Sequence, residues 1–211
     1  MERKTYTYQG EEVTVTWDQK RCIHAEECVK GLPEVFDPER RPWIDPDKAD
    51  AASVADVVQR CPTGALHVTH DGVDQETAPT SNHISVEPDG PLYVRGRVEV
   101  LDADGDVLLS DTRIALCRCG LSSNKPLCDG SHSDGFEDRG ALQVEQLNDG
   151  KAGDTLRIQM TSGGPLLVEG SVTITGSDSR ECSGSKGALC RCGASGNKPF
   201  CDGSHTSVDT L

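Results

Sequence analysis

Cys117-Arg118-Cys119-Gly120-Leu121-Ser122-Ser123-Asn124-Lys125-Pro126-Leu127-Cys128-Asp129-Gly130-Ser131-His132 returns 73 positions on, as Cys190-Arg191-Cys192-Gly193-Ala194-Ser195-Gly196-Asn197-Lys198-Pro199-Phe200-Cys201-Asp202-Gly203-Ser204-His205. The likeness reaches outward. Ala115-Leu116 precedes the first copy and Ala188-Leu189 the second, while Gly90-Pro91-Leu92 recurs 74 positions on as Gly164-Pro165-Leu166. A match of this extent marks a duplicated unit. Each copy carries three cysteines and one histidine, and its first two cysteines are a single residue apart.

Composition sets the frame around these copies. Only 4% of the 211 residues are aromatic, and there are 22 glycines and 11 prolines, so small units with a staple are expected rather than one large core. The 10 cysteines supply the staple. Met1 to Gly10 is polar with no apolar signal region, and no stretch approaches the roughly 18 apolar residues of a membrane span. A cytoplasmic chain is therefore expected, in which cysteines spaced this way read as metal ligands rather than disulfides. The formal net charge of −14 argues against nucleic acid, which needs a basic face. It suits either a solubilising surface or one that steers toward a basic protein redox partner.

Each repeat opens on a strand pattern. Val94 to Val100 alternates apolar and polar residues apart from Gly96, Leu166 to Thr175 does much the same, and Asp104-Gly105 signals a hairpin turn before Val107-Leu108-Leu109. The cysteine motifs follow in Gly/Ser/Asn/Pro-rich loops. The N-terminal part reads differently: strands at Thr5 to Tyr8 and Val13 to Trp17, a helix over Asp47 to Arg60 stopped by Cys61-Pro62-Thr63-Gly64, and a returning strand at Ala65 to Val68. A polar segment from Asp71 to Ser81 links the parts. Domains are expected at 1–78, 79–145 and 146–211, in an α+β fold.

Cys117, Cys119, Cys128 and His132, and likewise Cys190, Cys192, Cys201 and His205, form Cys₃His sets. Soft thiolates with one neutral imidazole suit an iron–sulfur cluster, and the same set also holds structural zinc. The one-residue gap is tighter than zinc sites ordinarily use. Asp129 and Asp202 are read as caps accepting backbone N–H bonds, Gly130 and Gly203 as turn residues, and Ser122 and Ser195 as donors toward the metal site. Lys125 and Lys198 are candidates to offset its charge.

Both motifs resemble the CDGSH iron–sulfur (NEET) family at every motif position. The resemblance implies one [2Fe–2S] cluster per motif, with the first two cysteines on an inner iron and the third cysteine plus histidine on an outer one. It further implies that the two motifs complete one β-rich unit, here as an intramolecular pseudo-dimer in a monomeric chain.

Cys22, Cys28 and Cys61 remain, the last followed by Pro62. With Cys22 to Cys28, Arg41-Pro42-Trp43-Ile44 and Cys61 to Leu66, residues 5 to 70 resemble a divergent mono-cluster ferredoxin family. Ala25 stands where the second cysteine is usual, so the resemblance leaves [3Fe–4S], or [4Fe–4S] completed by His24 or solvent. Cys182 fits neither pattern and reads as a bystander. No nucleotide fingerprint, Walker loop or nucleophile elbow is present. The expectation is a non-enzymatic electron-transfer protein, or alternatively a cluster carrier or redox and pH sensor using labile histidine-ligated clusters.

Overall fold

The computed structural model describes residues 4–143 and 146–208. Contacts divide the chain into two compact units, Met1–Thr77 and Ala78–Leu211. Among the described residues no helix is long and apolar enough to cross a membrane.

In the first unit, strands β1 (Thr5–Gln9), β2 (Val13–Asp18), β3 (Leu66–His70) and β4 (Val73–Asp74) form a sheet in that order, with neighbours antiparallel. Helices α1 (Glu27–Gly31) and α2 (Ala51–Arg60) lie between β2 and β3 in sequence. Val54, Val57 and Val58 put the apolar face of α2 into a core with Val13, Val15, Phe36, Ile44, Leu66 and Val68. The helix starts later than the sequence pattern suggests. Pro46–Lys48 forms a separate 3-10 turn, and Asp50 is the N-cap, its carboxylate accepting the Ser53 amide at 2.9 Å.

Among its described residues the second unit forms strands and two 3-10 turns with no α-helix, so the α+β description holds only for the chain as a whole. The first repeat supplies β5 (Asn82–Val86), β6 (Leu92–Leu101) and β7 (Val107–Leu116). The second supplies β8 (Thr155–Met160), β9 (Leu166–Thr175) and β10 (Glu181–Leu189). Alternating burial along β6 and β9 matches the sequence alternation and turns one face into the core.

The strands cross between repeats in a barrel-like sheet. β5 pairs antiparallel with β6 of its own repeat and parallel with β9 of the other; β8 pairs antiparallel with β9 and parallel with β6. The registers are reciprocal: Ile84 faces Ile174, and Ile158 faces Val100. Gly96 lies between the stretches of β6 that take β5 and β8, with φ at +154°. The Asn82 carboxamide fills this junction, accepting the Arg97 amide at 2.9 Å and donating to the Asp154 and Ser171 carbonyls at 3.0 and 2.8 Å. Its hydrogen bonds hold the strand crossing from both repeats.

Candidate metal centres

Beyond β7 and β10 the chain turns back on itself. The Cys117 amide donates to the Pro126 carbonyl at 2.9 Å and the Cys128 amide to Ala115 at 2.8 Å; Cys190 to Pro199 and Cys201 to Ala188 repeat this at 2.8 and 2.9 Å. The fold-back sets the third cysteine beside the first two. Gly130 and Gly203, at φ +94° and +92°, then swing the chain into 3-10 turns that return the histidines.

The donors gather in pairs. Cys117 and Cys119 Sγ atoms lie 3.6 Å apart and Cys190 and Cys192 lie 3.7 Å apart. His132 Nδ1 lies 3.2 Å from Cys128 Sγ, and His205 Nδ1 the same distance from Cys201 Sγ. Among the described residues, no three of these donor atoms come within 4.8 Å of one another. A single tetrahedral zinc would draw all four to roughly 3.8 Å apart. Two separated pairs fit two metal ions per site, as in a dinuclear iron–sulfur cluster.

Electrostatics agree with a metal. Hydrogen bonding between the two sulfurs pulls the Cys117 thiol down and pushes Cys119 up. Burial pushes Cys128 up to about 11 and raises Cys190. Ligation must displace these protons, and iron supplies the positive charge that the buried thiolates lack. Amides of Leu121, Gly130 and Gly203 approach Cys119, Cys128 and Cys201 at 3.4 Å as sulfur-directed donors.

Asp129 clamps the loop as its capping role suggested. It accepts from the Ser131 amide and hydroxyl at 3.1 and 2.7 Å and from the Ser123 amide and hydroxyl at 2.8 Å each. Burial works to raise its pKa, but these bonds outweigh it and hold the carboxyl at about 2. Asp202 accepts from the Ser204 and Gly196 amides at 3.0 and 2.8 Å.

Ser122 and Ser195 correct the sequence reading. Their hydroxyl protons go to the Leu127 and Phe200 carbonyls at 2.7 Å, so they brace the fold-back instead of donating to the metal site. Lys198 donates to the Ser195 carbonyl at 2.6 Å, another bond within the loop. Sequence reasoning also missed the residue between the paired cysteines. Arg118, 1% exposed, donates to the Gly90 and Glu87 carbonyls and to Asp138, while Arg191 donates to Gly164 and Thr161. The repeated charge at that position was the available signal.

The two loops meet at their glycines. A Cβ on Gly120 would strike the Cys192 carbonyl, and one on Gly193 the Cys119 carbonyl; both have positive φ, +83° and +82°. This reciprocal contact brings the two candidate sites together.

In the first unit, Cys22 follows a 3-10 turn, Cys28 sits on α1 and Cys61 caps the C-terminus of α2. Buried Arg21 ties the first loop to the last through the Thr63 carbonyl, at 3.1 and 2.7 Å. The three cysteines line a cavity of about 480 Å³ with His24, Trp17 and Trp43. His24 and Glu26, both on its wall, adopt positive φ, +58° and +62°. Burial pushes Cys28 up to about 11 and raises Cys22. The indole nitrogens of Trp17 and Trp43 are buried and find no hydrogen-bond partner among the described residues. Sulfur donors too dispersed for one ion, with unmet N–H groups beside them, fit a multinuclear cluster.

Fold and donor sets together define an iron–sulfur protein. Residues 8–71 match the family described as "Divergent 4Fe-4S mono-cluster", and residues 89–133 and 163–206 each match "Iron-binding zinc finger CDGSH type". The chain belongs to these families, joining one mono-cluster domain to two CDGSH domains. CDGSH domains typically bind [2Fe–2S], and the N-terminal family a 4Fe–4S cluster. Two curated relatives, each titled "Uncharacterized protein YjdI", from Escherichia coli strain K12 and O157:H7, are 41% identical over 63 residues, covering 30% of this chain and 83% of theirs. No solved structure matches the chain.

Proposed function

We propose that the protein is a non-enzymatic, cytoplasmic electron carrier with three clusters: two [2Fe–2S] and one [4Fe–4S] or [3Fe–4S]. The observation that carries this reading is the splitting of each CDGSH donor set into two pairs. Bound clusters supply reversible one-electron chemistry. The chain's own residues hold and tune them: Cys117/Cys119 and Cys190/Cys192 take the inner irons, Cys128/His132 and Cys201/His205 the outer ones. The reciprocal registers and glycine contacts support an intramolecular pseudo-dimer, complete as a monomer. Cys22, Cys28 and Cys61 hold the third cluster, with His24 on the cavity wall as the fourth ligand of a [4Fe–4S] form. The net charge of −14 favours a basic protein partner.

Anaerobic purification with iron and sulfide counts, plus EPR of oxidised and reduced states, tests the proposal. Eight irons for a [4Fe–4S] form, or seven for [3Fe–4S], are expected per chain by adding two for each CDGSH site. A colourless zinc protein overturns it.

A second reading, cluster transfer or redox and pH sensing, draws on the partial exposure of His132 and His205, which leaves the outer donors open to protons. It predicts facile transfer to an apo-acceptor protein, which a dedicated electron carrier resists.

A further inference from the structure

Trp17 is fixed in place. It pairs across the sheet with Tyr6 and Leu66, its ring stacks on Tyr6 at 5.5 Å, and it meets Trp43 edge-on at 5.0 Å. From that position it lines the cavity with Cys22, Cys28 and Cys61, and its Nε1 is buried and finds no hydrogen-bond partner among the described residues. Such an unmade bond inside a protein is costly, and neighbouring chemistry offers one answer. A protonated thiol is a weak acceptor, whereas an iron-bound thiolate carries charge and accepts strongly.

We infer that Trp17 is a positioning residue for the N-terminal cluster, its indole N–H donating to an iron-ligated cysteine thiolate of that cavity and raising the cluster's reduction potential. The direction follows because reduction adds negative charge to the cluster, and a donor to sulfur stabilises the more negative state. The inference rests on the proposal that this cavity holds a cluster.

The test uses the full, cluster-loaded chain. Iron and sulfide counts come first: absence of the N-terminal cluster from the wild-type protein refutes the underlying proposal. With that cluster present, EPR-monitored redox titration of Trp17→Phe should show a lower potential for the N-terminal signal and unchanged CDGSH potentials. An unchanged potential in Trp17→Phe overturns the inference. Wild-type protein labelled with ¹⁵N in its indoles guards against loss of the cluster from the variant. Pulsed EPR should detect one indole nitrogen coupled to the N-terminal cluster, and absence of that coupling is equally decisive against the inference.

Discussion

The guanidinium of Arg118 donates to the carboxylate of Asp138 from a position solvent does not reach. The second repeat has no such pair among the described residues: Arg191 lies against the Gly164 and Thr161 carbonyls, with the Met160 sulfur 3.8 Å away. Asp138 also lies 3.8 Å from Lys198 Nζ, so one carboxylate touches both repeats.

Replacing Asp138 with alanine should therefore destabilise the C-terminal unit by about 3 kcal/mol, the lower end for breaking a buried pair. The Gly90 and Glu87 carbonyls still receive Arg118, which keeps the loss from being larger. Urea unfolding of the iron-loaded protein measures this, and Asp138→Asn, which keeps an acceptor, should lose less.

Gly120→Ala and Gly193→Ala each force a methyl group against the opposite loop's backbone at positive φ. Either single substitution should deplete both CDGSH clusters together, falling by at least half in iron at these sites while the N-terminal cluster stays. Visible absorption and iron counts report it; loss from one site alone would show the loops to be independent.

Acid should act through His132 before Asp129. Burial, then the nearby Arg118 charge, lowers the His132 pKa, with Asp129 opposing. The unfolded chain thus binds the proton first, and the stability His132 lends is full above roughly pH 6.5 and lost as pH falls through its lower folded value. Asp129, held at about 2, lends stability that is full above roughly pH 4 and lost as pH falls toward 2. Cluster absorbance should decay faster at pH 5 than at pH 7, and His132→Cys or His205→Cys should slow that decay several-fold in stopped-flow or slow-mixing traces.

Cys182 is 3% exposed and packs in the C-terminal core, opposite Ile174 on β9. Cys182→Ser should leave iron and sulfide content unchanged yet lower the unfolding midpoint, by about 1–3 kcal/mol of stability for a buried hydroxyl. Both quantities come from one preparation.

The strand pattern and the donor residues were legible because each is local: alternation along Val94 to Val100, and cysteines at fixed intervals. What the sequence hid is contact across distance. Arg118 reads as a surface charge until Gly90, Glu87 and Asp138 close around it. Ser122 carries a hydroxyl fit for a metal site, yet its partner is a carbonyl five residues on. Nothing local reveals that β5 lies between β6 of its own repeat and β9 of the other, or that both tryptophans of the chain meet at one cavity.

The pairing of β5 and β8 with strands of both repeats has an evolutionary side. In a homodimer every change appears twice, on both faces of a self-complementary contact. Joined in one chain, the halves are free to drift apart while remaining obligate companions. Asn82 at the strand junction, where the 74-residue offset places Leu156, and Leu121 beside one site, where Ala194 stands beside the other, record that divergence. Covalent fusion thus turns a symmetric scaffold into one on which two like centres can acquire separate surroundings.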